Sequence, residues 1–231
     1  MNHIKEQLAE LRSSIEETAK AAGRKAEEIK LVAVSKTFPP EAISAAYGEG
    51  QRVFGENKVQ ELEVKSPVLP KDIEWHLIGH LQSNKALKAI KLASYIHSVD
   101  SVKLLTRIDK LSLENSLKPK ILLELNISGE DSKFGLNDEK AAMELALAAV
   151  ECKNVDFKGL MTMAPFGADE SELRNVFSGL RKLRDKMEKE FSIKLPELSM
   201  GMSSDYKTAI EEGATFVRIG SSIFGKRNYA L

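Results

Sequence analysis

One cysteine, Cys152, is the whole thiol inventory of this 231-residue chain. A lone cysteine closes no internal disulfide and builds no cysteine-based metal knuckle. Without a disulfide framework, a reducing compartment is expected. An excess of charge of either sign is also missing, because 34 Lys and Arg balance 34 Asp and Glu. Zero net charge supplies no field to gather nucleic acid or to settle the chain on an anionic membrane. Apolar runs stay far below the ~20 residues of a membrane-spanning helix. The opening segment MNHIKEQLAELRSSIEETAK carries charges throughout, unlike the apolar centre of a secretion signal. Histidine offers little: His3 falls in a helix, His76 and His97 in strands and His80 in a loop, and no pair has the spacing of metal ligands. Long Pro/Gly/Ser linkers and low-complexity tracts are absent. The expectations are a cytoplasmic protein, one domain over 1–231, no metal, and neither nucleic acid nor membrane as partner.

What is present is an ordinary globular composition, 42% hydrophobic and 29% charged. Its order carries the information. Ile4, Leu8, Leu11 and Ile15 recur at helical spacing, which predicts an amphipathic helix ending near Gly23. After it, strand-like runs at 30–35, 52–54, 73–78, 95–99, 121–127, 157–162, 197–202 and 215–219 alternate with helix-like stretches. The clearest helix is 169–191, where Asp169 and Glu172 have the spacing of a capping box. Further helices are expected over 101–113, 137–150 and 204–212, and loops around 66–70 and Ser128-Gly129-Glu130-Asp131-Ser132. Such alternation means βαβ units and a parallel sheet. About eight repeats suit a (β/α)8 barrel, with a doubly wound open sheet as the competing architecture.

In a barrel, function sits at the C-terminal ends of the strands. LVAVSKTFPP places Lys36 where an apolar strand leaves its sheet, followed by Pro39 and Pro40, which suit a helix start. A lysine there is either a snorkelling surface residue or a working amine. The last two strands end in Ser203-Ser204 and Gly220-Ser221-Ser222, each before a short helix. Small residues at a helix start are either simple caps or an anion site suited to phosphate. Gly220 to Lys226 imitates most of a nucleotide-binding loop, but Arg227 stands where Ser or Thr must bind magnesium. Arg218 lies inside an apolar strand, so it either pairs within the barrel, faces outward or reaches a ligand. Glu56 and Asn57 at the end of another strand either cap a helix or line the barrel mouth. A phosphate site beside an amine suits a ligand with phosphate and aldehyde, such as pyridoxal 5′-phosphate (PLP), because a partly desolvated lysine forms Schiff bases.

LVAVSKT, FGENKVQE, WHLIGHLQSNK, LELNIS, GLMTMAP, LSMGMSSDY and VRIGSSIFG, in this order, resemble the pyridoxal phosphate homeostasis protein family over essentially the whole chain. The resemblance implies an alanine-racemase-type TIM barrel, with the first helix outside the barrel repeat. It implies PLP held as an internal aldimine on Lys36. Ser203, Gly220 and Ser221 look like phosphate ligands, Arg218 like the partner of the pyridine nitrogen, and Asn57 like a residue lining the cofactor face. Racemases with this barrel take a second base from an added β domain, for which a chain stopping at Leu231 has no room. An Arg at the ring nitrogen also supports a carbanion less well than an Asp. The expected function is therefore PLP and amino/keto-acid homeostasis as a carrier or buffer, with PLP-dependent apoenzymes as recipients and a monomer or weak dimer as the assembly. A PLP-dependent racemase or decarboxylase and a Schiff-base aldolase-like barrel are the alternatives.

Overall fold

The computed structural model describes residues 2–127, 135, 136 and 138–225; the expected loop 128–132 lies outside the described residues. Helix α1 (Asn2–Ala21) precedes a repeating pattern of strand and helix. The repeat runs β1 (Lys30–Val34), α2 (Pro40–Gly48), β2 (Val53–Glu56), α3 (Val59–Lys65), β3 (Glu74–Leu77), α4 (Ala86–Leu92), β4 (Tyr95–Val99) and α5 (Val102–Glu114). It continues with β5 (Lys120–Glu124), α6 (Glu139–Glu151), β6 (Asp156–Met161), α7 (Glu170–Phe191), β7 (Glu197–Ser199), α8 (Tyr206–Glu211), β8 (Phe216–Ile219) and α9 (Ser221–Phe224). Strand order follows chain order and the barrel is closed. The pairing of β1 with β8, with Lys30 opposite Phe216 and Val32 opposite Arg218, rules out the open sheet.

Apolar side chains divide between two cores. The larger lies between strands and helices and includes Ala33, Phe54, Leu77, Ile96, Leu123, Leu160 and Val217. The smaller consists of Val32, Tyr95, Leu122, Met161 and Phe216, with Val53 and Met163 against it. Strand alternation makes this second set the barrel interior. The parity then puts Val34, two residues before Lys36, on the interior side of β1 with Val32, and Glu124 on the interior side of β5 with Leu122.

Helix α7 begins where the sequence placed it. The Asp169 carboxylate accepts the Glu172 N–H and the Glu172 carboxylate accepts the Asp169 N–H. Its buried stripe is Val176, Phe177, Leu180 and Met187. Helix α1 buries Leu8, Leu11, Ile15 and Ala19 and packs against α2, α8 and α9. Strand β7 stops at Ser199 rather than 202, because Gly201 turns into the left-handed region with φ +92°. Helix α8 starts at Tyr206 rather than 204, because Ser203 and Ser204 belong to the turn before it.

Candidate functional site

Lys36 is half-buried and sits in a tight turn closed by the Phe38 N–H on the Ser35 carbonyl at 3.1 Å. Thr37, the third residue of that turn, has φ +69°, a position that glycine or asparagine usually fills. Behind the turn, on the outer side of the wall, lies an ion cluster. Ser35 Oγ–H donates to Glu56 Oε1 at 2.7 Å, and the Thr37 N–H donates to Glu61 Oε2 at 2.7 Å. Lys65 Nζ donates to the Ser35 carbonyl at 2.9 Å, to Glu56 Oε1 at 2.7 Å and to Glu61 Oε2 at 2.8 Å. Burial pushes the Glu56 carboxyl up to about 7, with the Lys65 ammonium only partly offsetting it. Burial also pushes Glu61 up, but the bonds from Lys65 and Thr37 together bring it below the usual carboxylate range.

The ends of β7 and β8 form a second feature. The Met202–Asp205 turn is locked by Asp205, whose buried carboxylate accepts the Met202 N–H at 2.6 Å. Ser203 and Ser204 are its central residues, so the turn's own bonds leave their N–H groups unused. In α9 the Ile223 and Phe224 N–H groups go to the Gly220 carbonyl, which leaves those of Ser221 and Ser222 outside the helix's own bonds. Ser203, Ser204 and Ser222 line one cavity of about 580 Å³, shared with Ser14 of α1 and Tyr206 of α8. Lys36, Asn57, Arg218, Gly220 and Ser221 do not line that cavity. Gly220 connects the two features: a Cβ there would lie 3.0 Å from the Val34 carbonyl oxygen, so β8 ends flush against the strand that delivers Lys36. Asn57 is half-buried at the end of β2, and a Cβ on Gly79 would come within 2.4 Å of its carbonyl.

Arg218 is buried in the barrel interior. It donates from Nη1 to Ser199 Oγ at 2.6 Å and from Nη2 to the Thr162 carbonyl at 2.9 Å. The chain continues from Ser199 Oγ to His97 Nδ1 at 2.9 Å, from His97 Nε2 to His76 Nδ1 at 2.9 Å, and from His76 Nε2 to Glu74 at 3.3 Å. Its Glu74 end and the neutrality of the two rings fix its direction. Arg218 only donates and the Glu74 carboxylate only accepts. Ser199 therefore donates to His97, His97 to His76 and His76 to Glu74, with each imidazole neutral and protonated at Nε2. Burial lowers both imidazoles, His97 far below its ordinary value, in keeping with neutral rings. This line of hydrogen bonds crosses the barrel from its mouth to its N-terminal face.

Two sequence expectations need correcting. Glu56 and Asn57 do not cap α3; its first flanking residue is Lys58, and Glu56 instead points outward into the ion cluster. Arg218 neither faces outward nor forms an ion pair at bonding distance, since its partners are a hydroxyl and a carbonyl. Sequence reasoning did not single out Lys65 and Glu61, which the structure places in α3. It also missed Glu124, although a Glu two positions after Leu122 in an apolar strand was a visible signal. Among the described residues, no group of three His, Cys, Asp or Glu could hold a metal, and no helix is long and apolar enough to cross a membrane.

Known proteins share this architecture and sequence. The family model for the alanine racemase N-terminal domain matches residues 7–228. A pyridoxal phosphate homeostasis protein of Aquifex aeolicus is 42% identical, over 97% of this chain and 98% of its own. The human protein of that name is 40% identical, over 95% of this chain and 86% of its own. PipY of Synechococcus elongatus, solved with PLP bound, superposes with a TM-score of 0.85 at 38% identity, over 96% of this chain and 100% of its own.

Proposed function

This chain belongs to the pyridoxal phosphate homeostasis protein family, and on that premise we propose that it binds PLP covalently through Lys36 and holds it in reserve. The observation that carries the proposal is the contact of Gly220 with Val34. It sets an amine-bearing turn and a turn of exposed N–H groups and hydroxyls on neighbouring strand ends, where one ligand with an aldehyde and a phosphate meets both. The donor set fits such a ligand: backbone N–H groups and the hydroxyls of Ser203 and Ser221 suit phosphate oxygens. When bound, PLP supplies an aldehyde that condenses with a primary amine and a ring that withdraws electrons.

Each of the protein's own groups has a task in this reading. Lys36 supplies the amine. Ser203, Gly220 and Ser221 hold and orient the phosphate. Asn57 lines the ring face. Arg218 meets the ring nitrogen with a donor whose orientation Ser199 and Thr162 hold. A guanidinium, unlike a carboxylate, does not keep that nitrogen protonated, which favours holding the cofactor over turning substrates over. The proposal includes a cytoplasmic role in PLP and amino/keto-acid balance, with transfer to PLP-dependent apoenzymes.

The test is borohydride reduction after incubation with PLP, followed by peptide mass mapping. The expected adduct lies on the peptide containing Lys36, and Lys36→Ala folds but loses it. No adduct, or one on a different lysine, overturns the reading. Rapid exchange of an amino acid's α-hydrogen with solvent deuterium would replace the carrier by a racemase. A protein that remains colourless with PLP and captures a phosphorylated sugar would replace it by an aldolase.

A further inference from the structure

We propose that Lys65, with Glu56 and Glu61, positions the Lys36 turn for covalent capture of the ligand's aldehyde; this rests on the reading of Lys36 above. Lysine is seldom buried, yet Lys65 is 5% exposed. An ammonium has three donors, and Lys65 places them on the Ser35 carbonyl, Glu56 and Glu61. The same two carboxylates take the Ser35 hydroxyl and the Thr37 N–H. Both residues flanking Lys36 are thus tied to one ion cluster by three hydrogen bonds.

Two features give the cluster a purpose beyond holding the fold. Thr37 is β-branched and left-handed at φ +69°, a strained state that persists only where its surroundings over-determine it. The bond from its N–H to Glu61 supplies that constraint. A buried ion pair, moreover, is a poor source of net stability compared with apolar residues of similar volume. Here Lys65 and Glu56 are both buried, on the outside of the wall, beneath the turn that carries the half-buried Lys36. The cluster therefore acts through the turn, and Lys65 is a positioning residue.

The experiment compares wild type, Lys65→Met and Glu61→Ala with two probes. PLP reports capture by its absorbance, and pyridoxine 5′-phosphate, which has the ring and phosphate but no aldehyde, reports non-covalent binding by calorimetry. Capture by both variants is expected to slow by about tenfold or more, as for a misplaced reacting group. Affinity for pyridoxine 5′-phosphate should change less than about twofold, well inside that tenfold effect. In the ligand-free Glu61→Ala protein the Thr37 amide should exchange with solvent faster than in wild type. Unchanged capture in both variants overturns the proposal, and so does an equal loss with both probes, which marks the cluster as structural only. Glu61 is partly exposed, so Glu61→Ala keeps the test decisive if Lys65→Met does not fold. A wild-type protein that forms no adduct on Lys36 fails the underlying reading instead.

Discussion

Glu124 offers a quantitative test of how the barrel mouth is built. It closes β5 on the interior side, is 3% exposed, and its Oε2 is buried with no hydrogen-bond partner. Burial first, and the Asp100 charge second, push its carboxyl from the ordinary 4.5 up to about 7, with Arg218 offsetting only part. The folded protein therefore keeps the Glu124 proton over a pH range in which the unfolded chain has lost it. Stability must fall as pH rises through that window, and the loss is complete above the folded value. Glu124→Gln cannot ionise and escapes this loss. Linkage gives a wild-type penalty of roughly 0.8 kcal/mol at pH 5 and roughly 3.3 kcal/mol at pH 8. The stability gap should thus move in favour of the variant by about 2.5 kcal/mol between those pH values, or about 5–10 °C in Tm. Urea unfolding of both proteins at pH 5, 6, 7 and 8 measures it. Any constant cost of burying the new amide cancels, because only the pH-dependent part reports ionisation, and titrations at Glu56, His76 and His97 are common to both proteins. A pH-independent gap, or a wild-type Glu124 that titrates near 4.5 by carbon-13 NMR, would refute the argument.

Gly201→Ala forces a left-handed Ala, which costs roughly 1–2 kcal/mol, and brings its Cβ to 2.6 Å from the Ala209 Cβ. Crowding of that kind adds about 1–3 kcal/mol. The variant should lose stability in denaturant unfolding and weaken phosphate-ester binding through the displaced Ser203 turn; unchanged values in both measurements would contradict the account. Arg218→Ala leaves the Ser199 hydroxyl and the Thr162 carbonyl without their donor, at about 1–3 kcal/mol per buried group. The visible spectrum with PLP should shift or PLP affinity fall; a spectrum and affinity both unchanged would remove Arg218 from its assigned place.

The barrel was legible in the sequence because its signals are local. β1 reads as a strand from KLVAV and α7 as a helix from its apolar stripe and capping box, since backbone periodicity and capping act over a few residues. Lys36, Ser203, Gly220 and Ser221 stood out as candidates for the same reason, as residue types set apart from the strands before them. Barrel closure was not legible in this way: alternation alone left an open sheet in competition, and the β1–β8 pairing decided. Nor could the sequence reveal that Lys65 is buried beneath the Lys36 turn, or that His76, His97 and Ser199 join Arg218 in one line. These contacts bridge residues from 19 to 102 positions apart. A side chain's charge, tautomer and orientation there are set by neighbours from other strands and by the water they exclude. The chain by itself determined the repeating elements and the residues delivered to the mouth of the barrel; only the closed tertiary structure decided which polar groups are buried together, because desolvation and hydrogen bonding act through space.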